Sequence, residues 1–401
     1  MLDRSITDKP EEIPPDKVST DLIRVVIAHY HPYAVSGAEQ SIADLVAELD
    51  PRFRCSMLVP GEGNLADYYR RRGFDVWVQK VETPRRLYPG LHEFQSYRLA
   101  QRLREKNIDV ILSNTFSAAS RVKTAARLAS IPFGMYIREF ISDRPVHRQL
   151  LDRADRVFTI STDLQSYIRT LTRKPEKVLL TYNHILPGPI LARAEAHRKA
   201  AKRLAPFGIE HPVVGLIGRI TRFKQQDLFV RAIPYVLRDV PEARFVIVGS
   251  AQEREKDYEN EVKRLAVELG VEDKVSFMGQ RKDTIELTCD LTISCVTSDR
   301  EPLGRVILEA ALVGCPVVVP DTGGPAEIVD DEVTGLKFSS IQPDGHIQLA
   351  RQIVRLLQNP RLRQALASAA EEKISSTFAG SLYVRTQEEY IEQLAILKQY
   401  R

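Results

Sequence analysis

Strand-length apolar runs, rich in β-branched residues, alternate along this chain with segments of helix length and helix pattern. The first half carries such runs at 24–30 (RVVIAHY), 54–60 (RCSMLVP), 75–80, 109–114 (DVILSN), 132–138 (PFGMYIR), 156–161 (RVFTIS) and 177–183 (KVLLTYN). Helical stretches such as 38–49 and 93–106 lie between them. This alternation predicts right-handed βαβ crossovers and a parallel sheet. The rhythm breaks at 187–210, which opens Pro-Gly-Pro, continues as a basic helical pattern and ends in Pro206 and Gly208. It then restarts, with strands expected at 213–219, 244–250, 274–280, 291–297, 316–320 and 335–338. Helices are expected at 225–238, 255–269 and 305–313, and helical regions at 345–373 and 380–400.

One hydrophobic core stops growing at about 250–300 residues, so 401 residues suit two domains. The expected fold class is α/β: two Rossmann-like, doubly wound parallel-sheet domains facing an interdomain cleft. The expected division is a polar tail over 1–20, a first domain over 21–188, a linker over 189–210, a second domain over 211–379 and a C-terminal helix over 380–401. Open α/β sheets bind ligands outside the carboxyl ends of their strands, so two facing edges suit a two-substrate reaction.

A net charge of +4 gives no strong field for nucleic acid. Cys55, Cys289, Cys295 and Cys315 lie in or beside apolar runs without a CxxC pair, which reads as small buried hydrophobes in a reducing cytoplasm. No apolar stretch approaches the roughly 18–20 residues of a spanning helix. Residues 1–20 lack the apolar segment of a secretory signal. The expected location is cytoplasmic.

Four segments carry residue types suited to a phosphorylated sugar ligand. In Glu301-Pro-Leu-Gly-Arg-Val-Ile-Leu-Glu309 a buried strand and a polar turn lead into a helix. Gly304 and Arg305, flanked by Leu303 and Val306, fall at the helix entry, where unpaired N–H groups and the dipole receive an anion. Gly218-Arg219-Ile-Thr-Arg-Phe-Lys224 ends the first strand of the second half and places Arg219 and Lys224 as fixed cations for a diphosphate. Asp321-Thr-Gly-Gly-Pro-Ala-Glu327, with Thr322 and Gly323, suits either a loop wrapped on a ligand or an ordinary tight turn. Ser36-Gly37-Ala-Glu39 opens the first helix but is neither GxGxxG nor a P-loop. Taken singly, each also fits a structural use: glutamates at a helix start, or a solvated basic loop.

In this order the segments resemble the retaining GT-B glycosyltransferases, in particular the glycosyl transferases group 1 (family 4 type). The resemblance spans about 24–375 and is strongest from 213 to 338: GR…K, VGS, KVSFMGQ, E-x7-E, then PVV with D-T-G-G-x-x-E-I-V and T-G-L. SGAEQ, ADRVFTIS and KVLLTYN resemble first-domain signatures of the family. The resemblance implies that Arg219 and Lys224 hold the donor diphosphate and stabilise it as leaving group. Glu309 would bind ribose hydroxyls, and Glu301 hydroxyls of the transferred sugar. Gly304 and Arg305 would offer N–H groups to phosphate, the loop of Gly279 and Arg281 would lie by the base, and Gly37 would sit across the cleft. The C-terminal helix is expected to cross back onto the first domain.

The chain departs from that pattern at Arg138-Glu139, where many relatives carry a histidine; contact of Arg138 with donor phosphate or an anionic acceptor, contact of Glu139 with an acceptor hydroxyl, and a structural ion pair are all open readings there. Pro302-Leu303 stands where an aromatic residue is commoner.

The implied reaction moves a hexosyl group from a nucleoside-diphosphate sugar, UDP- or GDP-linked, to an acceptor hydroxyl on a sugar, lipid-linked or small molecule, with retention. No metal or other cofactor is expected: there is no Asp-x-Asp, and His29 and His31 lack carboxylate companions. Residues 65–106 hold ten Lys or Arg against five Asp or Glu, a face for an anionic membrane or a merely solvated surface. A sugar-nucleotide 2-epimerase and a non-catalytic sugar-nucleotide-binding subunit are competing readings. E-x7-E counts against the first, and the intact Arg219, Lys224, Glu301 and Glu309 against the second.

Overall fold

The computed structural model describes residues 22–33, 35–82, 90–200, 210–379 and 381–401. The expected tail, part of the basic run (83–89), part of the linker (201–209) and Gly380 lie outside the described residues.

Seven strands form one parallel sheet: β1 (Ile23–Ala28), β2 (Phe53–Val59), β3 (Asp75–Val78), β4 (Val110–Ser113), β5 (Phe133–Ile137), β6 (Arg156–Thr159) and β7 (Val178–Leu180). Their order is β3-β2-β1-β4-β5-β6-β7. A second parallel sheet holds β8 (Val213–Ile217), β9 (Arg244–Val248), β10 (Val275–Phe277), β11 (Ile293–Cys295), β12 (Val317–Pro320) and β13 (Leu336–Phe338). Its order is β10-β9-β8-β11-β12-β13. Every expected strand is present; β2 is as long as its apolar run and shifted by one residue, and the others are a little shorter than theirs. Helices cover both faces of each sheet, so the strands are continuously apolar rather than alternating: Val25, Val26 and Ile27 are all buried. In each sheet the winding reverses beside its first strand, between β1 and β4 and between β8 and β11. The crevice at such a reversal is where an open α/β sheet takes its ligand.

Three segments need the tertiary context. The described part of the break is a helix, Pro187–Ala200, that docks on the second domain. Arg193 pairs with Glu286 (Nε–Oε1 2.8 Å), His197 with Asp290 (2.8 Å), and Arg198 donates to the Val313 carbonyl (2.7 Å) at the end of helix Arg305–Leu312. The region 345–373 divides into helices Gly345–Gln358 and Pro360–Thr377, because Asn359 caps Leu362 N (3.0 Å) and Pro360 starts the new turn. The last helix, Ser381–Leu397, lies on the first sheet. Tyr390 stacks on Phe158 with centroids 5.9 Å apart, Gln387 accepts from the Tyr136 hydroxyl (2.5 Å), and Lys398 pairs with Asp109 (2.8 Å). Gly134 makes room for it, since a Cβ there would stand 3.0 Å from Leu394.

All four cysteines are free thiols, Cys295 and Cys315 fully buried and the others half-buried. No described helix is long and apolar enough to cross a membrane.

Candidate functional site

Beyond β8 the chain makes a short 3-10 turn, Arg222–Lys224, closed by Gln225 at φ 49°. That turn returns the Lys224 side chain over the sheet's carboxyl edge, where its ammonium pairs with the Glu301 carboxylate. Ser298 Oγ donates to the same Glu301 oxygen (2.8 Å), and Thr297 Oγ1 donates to the Lys224 carbonyl (2.7 Å). Residues that follow β8 and β11 are thus joined at the point where the winding reverses. The floor beside them is glycine. Gly249 has φ +142°, and a Cβ on it would lie 1.9 Å from the Gly218 carbonyl oxygen; its N–H donates to Gly279 O (2.8 Å). Arg219 is exposed, and its guanidinium has no partner among the described residues.

Glu301 leads through buried Leu303 to Gly304, whose φ of 93° starts helix Arg305–Leu312. The loop with Thr322 and Gly323 closes over this turn. Thr322 Oγ1 donates to Asp299 O (3.0 Å) and Gly324 N to Glu301 O (2.8 Å). A Cβ on Gly323 would lie 2.5 Å from Glu301 O, and one on Gly324 2.3 Å from Leu303 Cα. Contact between the two loops therefore accounts for both glycines. Val306 is half-buried on the helix's first turn. Arg281 is engaged locally by Asp283 (2.6 Å), beside Gly279 at φ +64°.

Arg305 points elsewhere. Its guanidinium crosses the cleft to the first-domain helix Gly37–Glu48, reaching Asp44 (2.8 Å) and Ser41 (3.1 Å), while Nε holds Glu309 Oε1 (2.9 Å). Burial opposes its charge, but Glu309 and Asp44 outweigh burial and raise its pKa. A Cβ on Gly37 would lie 3.6 Å from Arg305 Cδ, so Gly37 does face the second domain. Asp44 also pairs with Arg72 (3.0 Å).

Two further bridges close the cleft. Glu327 accepts from Thr162 N and Asp163 N (both 2.9 Å) and from the Tyr182 hydroxyl (2.9 Å), capping first-domain helix Thr162–Leu171 from the second domain. Arg300 Nε donates to Asp163 (2.8 Å) and lies over the Phe140 ring at 4.2 Å.

The first sheet's edge is polar but buried. Ser36 and Glu39 form a capping box: Ser36 N donates to Glu39 (2.9 Å), and Ala38 N to Ser36 Oγ (3.3 Å). Burial raises the Glu39 pKa, but the Ser36 hydrogen bond and nearby His29 leave it lowered overall. His29 is 4% exposed, both ring nitrogens lack a partner, and burial lowers its pKa to about 4. Arg138 donates from Nε to Asn114 O (3.2 Å) and Oδ1 (3.1 Å) and from Nη1 to Asn183. It does not pair with Glu139, which is exposed; the ion-pair reading of that dipeptide is therefore corrected. A guanidinium following β5 turns back over the edge toward Asn114, whereas the next side chain alternates away from it.

The structure thus joins Lys224 with Glu301, and Arg305 with Glu309 and the helix after Gly37. Among the described residues no hydrogen bond or ion pair joins Arg219, Arg281 or Glu139 to those clusters. Sequence reading did not single out Ser41, Asp44, Asn114, Asn183, Arg300 or the role of Glu327, and it weighed His29 only as a metal ligand. Two signals were available: Ser36-x-x-Glu39 has capping-box spacing, and Asp44 lies between Ala43 and Leu45 on the buried face of an amphipathic helix. Among the described residues no three His, Cys, Asp or Glu stand together as a metal cluster.

Two family models match, glycosyl transferases group 1 over 201–373 and the glycosyl transferase 4-like domain over 36–184. The crystal structure of Anabaena HepE in complex with UDP and glucose superposes with TM-score 0.79 at 23% identity, covering 92% of this chain and 100% of that one. The chain belongs to the GT-B glycosyltransferases. It is 30% identical to an uncharacterized glycosyltransferase, MJ1607, of Methanocaldococcus jannaschii over 228 residues, 56% of each chain. It is 24% identical to the lipopolysaccharide core biosynthesis glycosyltransferase LpsD of Rhizobium meliloti over 363 residues, 88% of this chain and 94% of LpsD. In this glycosyltransferase the group 1 match contains Arg219, Lys224, Glu301, Arg305 and Glu309. The 4-like match contains Gly37, Asp44, Arg138 and Asn183.

Proposed function

We propose that the protein transfers a hexosyl group from a UDP- or GDP-linked sugar to an acceptor hydroxyl, with retention and without a metal ion. The observation that carries this is the meeting of Lys224, Glu301 and the start of helix Arg305–Leu312 at the reversal point of the second sheet. Breaking the bond to the anomeric carbon leaves negative charge on the diphosphate. Lys224, the exposed Arg219 and the N–H groups of Arg305 and Val306 compensate it where it develops. Glu301 accepts from hydroxyls of the transferred sugar, and Ser298 and Lys224 hold it in place. Glu309 keeps one oxygen for ribose while the other holds Arg305. The leaving phosphate takes the acceptor's proton on the face it vacates, which retains configuration.

The acceptor is a sugar or a lipid-linked molecule of glycan or glycolipid synthesis, a reading supported by the likeness to LpsD. Contact with an anionic membrane face is supported by helix Leu91–Glu105, which exposes Leu91, Phe94 and Tyr97 beside basic residues. A shift of the protein onto anionic vesicles, absent with neutral ones, tests that contact.

The activity test is a panel of UDP-, GDP-, ADP- and TDP-sugars read by thermal shift, then by transfer in EDTA. A bound donor at a hundredfold its Kd adds about 2.7 kcal/mol of stability. The anomeric coupling in the product's NMR spectrum should match the donor's. If no nucleotide sugar raises Tm, the reading fails; loss of transfer in EDTA removes its metal-free clause.

A further inference from the structure

We propose that Arg138 is the seat of an oxyanion subsite at the carboxyl edge of the first sheet, taking a phosphate or carboxylate borne by one of the two substrates. The inference rests on the two-substrate reading above and adds the chemical class of what enters from this side.

Four observations support it. The partners of Arg138 among the described residues are neutral: the carbonyl and side-chain oxygen of Asn114, the side-chain oxygen of Asn183 and the face of the Tyr136 ring at 4.7 Å. Glu139 is turned out to solvent, and Glu39, the carboxylate whose field reaches Arg138, is held by Ser36 in its own capping box. A half-buried guanidinium with no carboxylate partner is a costly arrangement, and a ligand anion would relieve it. The second observation is geometric. Nε and Nη1 are fixed by the two asparagines, whereas Nη2 has no partner among the described residues and is not among the solvent-sealed polar atoms. The planar fork is therefore oriented in advance with a free donor, the form in which arginine recognises phosphate and carboxylate.

The third observation is placement. Asn114 follows β4 and Arg138 follows β5, next to the strand reversal between β1 and β4. The field of Arg305, a second-domain cation, also reaches Arg138. The fourth is His29, directly after β1, neutral and with both ring nitrogens unpartnered. It stands beside Asn114 in the sheet register, and Asn114 N donates to Ala28 O (2.9 Å). Neutral and sealed from solvent, that imidazole leaves the Arg138 charge uncompensated from the β1 side.

The test uses the full chain as wild type, Arg138→Gln, Arg138→Lys and Lys224→Ala, each checked for native circular dichroism. Inorganic phosphate is titrated with and without saturating UDP, and UDP is titrated alone. If the acceptor supplies the anion, Arg138→Gln weakens phosphate by about tenfold to a hundredfold and leaves UDP within about twofold, Arg138→Lys recovers part of the loss, and Lys224→Ala shows the opposite pattern. If the donor diphosphate supplies it, Arg138→Gln weakens UDP by a similar factor. If Arg138→Gln changes neither ligand, the proposal is overturned. Should wild type bind no UDP, the donor reading falls by itself, while the phosphate comparison still decides the subsite. If Arg138→Gln does not fold, Arg138→Lys carries the test: unchanged binding of both ligands overturns the fork geometry proposed here.

Discussion

The two sheets of this protein are wound alike, yet their carboxyl edges are furnished in opposite ways. On the second sheet two cations stand toward solvent: Arg219 is exposed and without a partner among the described residues, and Lys224, paired with Glu301 and lying over the Phe223 ring, remains partly open. On the first, Arg138 and His29 are sunk among Asn114, Asn183 and the Ser36–Glu39 cap. An open cation keeps its charge hydrated until a ligand displaces the water. A sunk one is oriented beforehand and depends on its neighbours for compensation. The same topology therefore carries hydrated cations at one edge and a guanidinium oriented in advance at the other.

Removing the charge at the open edge should cost most. Lys224→Ala is expected to slow transfer by about 100- to 1,000-fold, with Tm changed little because its partner Glu301 keeps Ser298. Transfer at the wild-type rate would make the two edges equivalent and end the comparison.

The joint between the edges comes next. A double-mutant cycle on Arg305→Met and Asp44→Asn should give a coupling of about 2 kcal/mol in denaturant unfolding. The pair is buried and bridges the domains, so a coupling near zero would mean that the cleft closes without it.

The sunk edge should be the one that feels acid. The His29 pKa is held at about 4, below its ordinary value, so the unfolded chain binds a proton first as pH falls. Stability is present above about pH 6.5 and is lost toward pH 4; between pH 6.5 and 5 the loss is about 1.5 kcal/mol. His29→Gln should flatten that slope in pH-dependent unfolding. His184, also lowered by burial, adds a share in the same direction. An unchanged slope would place the acid sensitivity elsewhere.

Arg219→Ala should give the smallest effect. Stability stays within about 0.5 kcal/mol, as for an exposed side chain without partners, while donor Kd rises about tenfold. A stability loss of several kcal/mol would show that the open edge is structural after all.

Strands and helices were legible in the chain because their signals are local, whereas the strand order that sets the reversal of winding was not. A run such as RVVIAHY suits the sheet wherever it lies, and Gly304 before an apolar helix marks its start. The catalytic candidates Lys224 and Glu301 were legible for the same reason, since each closes a strand-to-loop transition. Thr322 and Gly323 were legible as a tight, glycine-dependent loop, but their contact with Glu301 and Asp299 was not. Nor was the helix at 187–200 recognisable as part of the second domain, because its docking depends on Glu286, Asp290 and Val313.

Arg305 draws the dividing line. Its position at a helix entry follows from eight consecutive residues, because helix initiation is decided within a turn. Its guanidinium, however, is satisfied by Asp44, which lies 261 positions away in the other domain. Charge pairing acts through space at a few ångströms, so it becomes readable only once folding has brought the two helices together. The nature of the strands is written along the chain, whereas the partners of Arg305, Arg138 and Glu327 are set by which edges come to face one another.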